Sequence, residues 1–416
     1  MAVIYLEEPR VKREPPRGLT PWALGFRPFY LLAALLATLA VPAWIAALLT
    51  GAAKPTILWH AHEMVYGFAA AVITGFLFTA VKNWTGRPTP VGLPLAALVV
   101  LWLLGRLGTW VALNESTPDG VATCAALVDV AFLPCVALIL GRILWQTRSQ
   151  RNYFVVVLLL ALSGCNIAFH GRLQGWPISP DAVPLIPLHL AIALITLLET
   201  VIAGRIVPGF TANALKTVKP WQHPWLNWMA IGTTALALVA WAADLTWRLP
   251  GGGPYLSTVL SVVAATLQAV RCAGWRPQAT LKTPLLWILH VSHAWIVIAL
   301  LLMAFRLQAA ALHVLTVGAM AGLILGMITR TALGHTGRML VVGATETWAY
   351  RCIVLAVLAR ALAALIPAGI PPWPWADHLT APALVLAAAA WSMAFGLYLW
   401  KYAPILLRPR PDGRDG

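Results

Sequence analysis

Charge is what this sequence has least of. Of its 416 residues only 10% are charged, 14 acidic against 29 basic, while 60% are hydrophobic. A soluble domain carries roughly 25% charged residues, so a soluble fold is excluded. Cysteine is also sparse. Cys124, Cys135, Cys165, Cys272 and Cys352 form no Cys-x-x-Cys and no Cys-x-x-Cys-His pattern. That excludes a zinc ribbon, an iron–sulfur site and covalently attached haem, and leaves them as small buried apolar residues. No polar stretch between apolar runs is long enough for a soluble domain, and no short apolar core with a small-residue cleavage site comes first, so no removable signal peptide is expected.

What the chain has instead is hydrocarbon. A bilayer core of about 30 Å takes roughly 20 apolar residues per helix. By that measure the sequence predicts an all-α, polytopic membrane bundle of twelve spans. They fall near 29–50, 60–81, 93–113, 120–142, 152–170, 183–207, 225–246, 256–271, 284–303, 309–333, 347–366 and 380–402. Short connectors rich in Pro and Gly join them, such as Thr85–Pro90 and Pro250–Pro254. The expected organisation is a flexible basic tail (1–28), one integral membrane domain (29–402) and a second tail (403–416).

The net charge of +15 fits loops facing anionic lipid rather than a nucleic-acid surface. With a cytoplasmic N-terminus the outer connectors hold only Lys54, Arg172, Arg248 and Arg306. The inner segments collect Arg10, Lys12, Arg13, Arg17, Arg151, Lys216, Lys219, Arg276, Arg408 and Arg414 among others. The positive-inside bias therefore predicts that both termini are cytoplasmic.

That topology gives the histidines a depth. His60 and His62 open the second span from the outer side, His170 closes the fifth, and His189 and His313 lie one to two turns into the sixth and tenth. His290 and His293 share a face of the ninth, nearer the middle of the bilayer. Neutral imidazole is the commonest metal ligand and suits haem iron, copper and zinc. Several helices delivering imidazoles to the outer half-bilayer point to a cofactor site with His60, His62, His189, His290, His293 and His313 as candidate ligands. On an ideal helix His60 and His62 lie about 200° apart, so either His60 precedes the helix or the two serve different sites. Glu63 shares a face with His60, and Tyr66 neighbours His62; a proton or electron relay and an interfacial aromatic belt are both open for Tyr66.

Ionisable groups inside a membrane are costly, on the order of +2.5 kcal/mol or more, so the others are also candidates. Arg106 and Asp129 read as a structural ion pair. Glu199, deep on the sixth span, reads either as a proton group or as a hydrogen-bonded structural carboxyl. Gly318, Gly322 and Gly326 form a stripe of small residues that admits a neighbouring helix or a flat macrocycle. At the inner ends, Arg330 and the run from Gly334 to Arg338 suit an anion such as a propionate or a lipid phosphate, or anchor the positive-inside loop.

Four segments resemble the NnrS family of bacterial membrane proteins: His60-Ala61-His62-Glu63-Met64, Gly204-Arg205-Ile206-Val207-Pro208, His313-Val314-Leu315-Thr316-Val317-Gly318-Ala319 and Gly334-His335-Thr336-Gly337-Arg338. The resemblance implies tolerance of nitric oxide, with haem and copper in the bacterial inner membrane. It points to His60, His62, Glu63, Arg205, His313, His335 and Arg338. The layout is also similar to the catalytic subunit of haem–copper oxidases and nitric oxide reductases, though an adjacent His-His pair on a middle helix and a His-x-His near the tenth are missing.

The resulting expectation is a metalloprotein holding one or two b haems and copper, which binds nitric oxide and reduces it to nitrous oxide. Glu63, Tyr66 and Glu199 are the proton candidates, and Arg205, Arg330, His335 and Arg338 the groups around the cofactor. Electrons would come from quinol or a periplasmic carrier. A non-catalytic store or sensor of nitric oxide, and a twelve-helix transporter of a metal or haem-like solute, are the alternatives. No internal repeat is evident by inspection.

Overall fold

A computed structural model describes residues 20–113, 116–175, 185–247, 253–373 and 375–413. The expectations for Arg10, Lys12, Arg13, Arg17, Arg248, Arg414 and most of the 250–254 connector lie outside those residues. Every described regular element is helical. Twelve helices are long and apolar enough to cross a membrane: α1 (Phe26–Thr50), α2 (Ile57–Thr85), α3 (Leu93–Ala112), α4 (Asp119–Gln146), α5 (Gln150–Leu173), α6 (Ile186–Ala214), α7 (Pro224–Asp244), α8 (Tyr255–Gly274), α9 (Pro284–Ala304), α10 (Gln308–His335), α11 (Ala344–Ala368) and α12 (Ala376–Leu407). The chain is a multi-pass membrane protein.

Local sequence sets the ends. Thr56 Oγ1 accepts the Trp59 amide at 3.2 Å and starts α2, and Gly51 and Gly86 take left-handed φ of 68° and 67° to stop α1 and α2. Proline stands in the first turn of α3, α6 and α9, where its missing N–H costs nothing. Pro208 does not end α6, as the predicted boundary at 207 required; the helix runs on to Ala214. In lipid no water replaces a lost backbone partner, so continuing the helix through a proline costs less than unwinding it.

Neighbours in sequence pack as neighbours in space, and α1 against α12 closes the bundle. The centre belongs to α2 and α10, whose most apolar windows are 89% and 72% buried. Both chain ends sit at one end of the bundle, here the terminal face: the Thr20 amide donates to Leu407 O at 2.9 Å. Arg27 is fully buried there and donates to Leu406 O and Arg408 O at 2.7 and 2.8 Å. The tail expected to extend to residue 28 is therefore bound into the bundle from Thr20 onward. At the other end the C-terminal segment also holds on, with Arg410 donating to His335 O at 3.1 Å.

The two central helices share a defect. In each, the last α-helical residue is a histidine, His62 or His313, and a seven-residue π turn follows, Glu63–Ala69 or Val314–Met320. Ala70 and Ala321 close these turns by bonding five residues back, to Val65 O and Thr316 O. Counted from its histidine, each helix places glycine alike (Gly67 and Gly318, Gly75 and Gly326) and ends on the same Thr-Gly-Arg, Thr85–Arg87 and Thr336–Arg338. Gly86 and Gly337 are both left-handed. This is an internal repeat in parallel orientation, unseen in the sequence because two π turns hide its helical phase.

Candidate functional sites around two histidine–arginine pairs

The first pair is His62 with Arg106. The π turn after His62 leaves backbone carbonyls unpaired within the helix, and Trp102 Nε1 takes Gly67 O at 3.2 Å. Gly67 has no room for a side chain: a Cβ there would lie 2.7 Å from Glu63 Oε2 and 3.1 Å from the Arg106 guanidinium. Through that gap Arg106 donates to Glu63 Oε1 at 2.9 Å, and it also pairs with Asp129 of α4. Asp129 Oδ2 in turn accepts from Asn166 Nδ2 at 2.8 Å and lies 3.0 Å from His170 Nε2, both on α5. His62 Nε2 lies 3.1 Å from the same carboxylate oxygen and 3.0 Å from Asn166 Oδ1.

All of these side chains except Arg106 are buried to within 2%. His62, Asp129 and His170 are grouped closely enough to hold a metal ion. Their polar atoms, however, already satisfy one another, and two carboxylates with one guanidinium balance once one imidazole carries a proton. The arrangement is a closed ion network, and it has no vacant volume. Tyr66 seals it: its ring stands 4.9 Å from His62 and its hydroxyl donates to Leu162 O at 2.9 Å. It is no interfacial belt residue. Glu63 faces this network rather than sharing a site with His60, because Arg106 reaches it from α3.

The second pair is His313 with Arg360 of α11. Here the neighbouring α12 brings Ala387, Ala388 and Trp391, and a cavity of about 660 Å³ remains at the face opposite the termini. His60, His189 and His313 all line it, with Arg360, Met64, Phe68 and Trp44. His60 stacks on Trp44 (5.5 Å, 12°), and its Nδ1 is buried without a hydrogen-bond partner, as is that of His189. The His313 Nδ1 lies 2.8 Å from Ala309 O. It can only donate to a carbonyl, so the lone pair of the neutral ring is left on Nε2. The two histidines of the second span thus serve different sites.

The remaining candidates scatter. His290 and His293 do not reach the cavity: His290 Nε2 lies 2.9 Å from Thr211 Oγ1, and His293 Nε2 lies 3.3 Å from Gln268 Oε1. They share a face, as spaced, but that face meets α6 and α8. Arg205, Arg330 and His335 line a separate cavity of about 640 Å³ at the terminal face, with Arg151. Arg330 stacks over Phe210 at 3.6 Å. Arg338 lies outside its wall and donates to Thr336 O at 3.2 Å. The glycine stripe of α10 serves packing: Cβ atoms at Gly318 and Gly326 would strike Trp295 and Leu289 of α9 at 2.7 Å. Cys124 is exposed and the other cysteines are half-buried, so none is a core residue as expected.

Sequence reasoning passed over Arg360 and underrated His170 and Asn166. Arg360 was visible as a lone cation in the apolar run Val357–Leu365; the network partners on α5 carried no signal beyond polarity. The profile of the NnrS protein family matches residues 20–410. The chain belongs to the NnrS family. Among curated proteins no relative matches it.

Proposed function

We propose that this NnrS-family chain is a haem- and copper-containing membrane protein that binds nitric oxide and reduces it to nitrous oxide, at the cavity lined by His60, His189 and His313. One observation carries the reading: three imidazoles from three helices share a cavity and keep free ring nitrogens, while every other described membrane histidine of α2, α5 and α9 is hydrogen-bonded. Metal-bound histidines usually donate their other nitrogen to a carbonyl, which is the state of His313 with Ala309 O.

The donor set fits the groups. Neutral imidazoles suit both iron and copper, the flat apolar walls of Trp44, Phe68 and Trp391 suit a macrocycle, and Arg360 suits a carboxylate at its edge. His60, His189 and His313 would hold the metals and Arg360 an acidic side group of the haem. The bound groups supply a redox-active iron and copper with affinity for the nitrogen of nitric oxide. The chain contributes the rest. Trp44 fixes the His60 ring by stacking, Ala309 O fixes the His313 tautomer, and the apolar wall admits a gas that partitions into lipid. Two nitric oxide molecules, two electrons and two protons give one nitrous oxide and one water. The reductant is of the quinol or periplasmic-carrier class.

Detergent-purified protein should contain haem by pyridine haemochrome and copper by metal analysis. Nitric oxide supplied with reductant should disappear continuously, with nitrous oxide released. Loss that stops at one equivalent per site identifies a store or sensor. A well-folded preparation from haem-replete cells without haem or copper overturns the reading. Transport would then be the stronger one, favoured by the parallel repeat of α2 and α10 and by cavities at both ends of the bundle.

A further inference from the structure

The cavities at the two faces are not the whole of the interior space. A third, of about 90 Å³, lies between them, and all three are walled by the same helices, α2, α6 and α10. Along α6 the order runs His189 and Ile192 at the far-face cavity, Ile195 and Glu199 at the middle one, then Arg205 and Phe210 at the terminal-face cavity. The middle and terminal-face cavities share Phe76, Ile202, Ile206 and Met327. The middle and far-face cavities share no residue. About one turn of each helix separates them, between Phe68 and Val72, Ile192 and Ile195, and Met320 and Leu323.

Glu199 is the acid in this middle space. Glu63 and Asp129 pair with Arg106, and Glu346 pairs with Lys401 at 2.6 Å. Glu199 makes no ion pair among the described residues, and its Oε2 is buried without a hydrogen-bond partner. Its cavity is otherwise apolar. Tyr30 of α1 is the sole other titratable group on the wall; α2, α9 and α10 bring no charged or titratable side chain to it. A lone carboxyl does nothing for packing there that a glutamine or leucine would not do better. The space is large enough for a few waters, at roughly 10–15 Å³ each, and Glu199 and Tyr30 offer them polar partners.

We propose that Glu199 is a proton-relay residue, loaded from the terminal-face cavity and discharging toward the histidine cavity. This rests on the reading that the histidine cavity is where protons are consumed. The carboxyl takes a proton on one oxygen from water entering past Ile202 and Met327, and gives it up on the far side. Helical rise puts Glu199 about 9 Å from Arg205 and about 15 Å from His189 along α6, so it divides the path. The arginines of the entry cavity keep their protons at all relevant pH and do not compete. Glu63 is unsuited to the role because Arg106 and Gly67 lock it into the closed network.

The test uses full-length protein in lipid vesicles of known orientation and dicyclohexylcarbodiimide as probe, which couples to a carboxyl only while it is protonated. The adduct is located by mass spectrometry. Labelling at Glu199 should fall when the terminal-face side is made alkaline and hold when only the far side is. Met327→Trp, which fills the junction of the two cavities, should blunt that response. Labelling that follows far-side pH, or its absence from Glu199 in folded protein, overturns the proposal. Neither readout needs a bound metal, so this failure is separable from that of the nitric oxide reading. In loaded protein, Glu199→Gln should leave one-equivalent nitric oxide binding unchanged and slow sustained turnover by about a hundredfold or more; wild-type turnover overturns the relay.

Discussion

The two histidine–arginine pairs are built alike and end differently. In both, a histidine closes the α-helical start of a central helix, a π turn follows, and the next helix in sequence supplies an arginine. At His62 the helix after that, α4, supplies Asp129, and α5 adds Asn166 and His170. At His313 the corresponding α12 supplies alanines and a tryptophan. One carboxylate separates a filled ion network from an open cavity. A histidine within a membrane is a strut or a ligand according to what its neighbours bring.

The most damaging way to break this contrast is Asp129→Ala. It strands Arg106, His62 and His170 without a counter-ion, and removal of one partner from a buried pair costs about 3–5 kcal/mol. The expected outcome is little folded protein in detergent by size-exclusion profile, and the Arg360→Ala variant should fold normally beside it. Next in size is a change of spectrum with no change of fold. His313→Ala should lose the haem absorbance and keep its melting temperature, whereas His62→Ala should keep the absorbance and melt lower. The reverse pattern would exchange the roles of the two sites.

Gly67→Ala tests the closed site alone. The new methyl meets Glu63 and Arg106, and overpacking of this kind costs about 1–3 kcal/mol, to be read as a lower melting temperature with haem content unchanged. The smallest effect expected is that of Tyr66→Phe. It gives up the bond to Leu162 O, worth about 1 kcal/mol, and should leave nitric oxide consumption at the wild-type rate. A large kinetic loss with intact stability would place Tyr66 in the chemistry after all.

The span pattern was legible because lipid demands long apolar runs and tolerates little else, so all twelve helices stand where hydropathy puts them. Pro208 escaped because a proline signals a helix end in water, and lipid removes that alternative. The outer histidines were legible by depth, which topology supplies. Their facing was not. Depth grouped His290 and His293 with the rest, although α9 turns them toward Thr211 and Gln268. Nor did a period of 3.6 residues foretell how His60 and His62 divide, since the π turn beginning at Glu63 changes the phase of everything after it. Arg360 went unremarked because one arginine in an apolar helix reads as an exception until a cavity is seen beside it.

That change of phase has a consequence for how the molecule could vary. A π turn is one surplus residue wound into a helix, and each residue turns an α-helix by about 100°. Deleting any one position within Glu63–Ala69 would restore regular winding and swing the histidine-bearing end by roughly that angle relative to the rest of α2. His62 would leave Asp129, and every ring at that end would point somewhere new without a single side chain being replaced. The aim of the histidines is written in the length of the chain as much as in its letters.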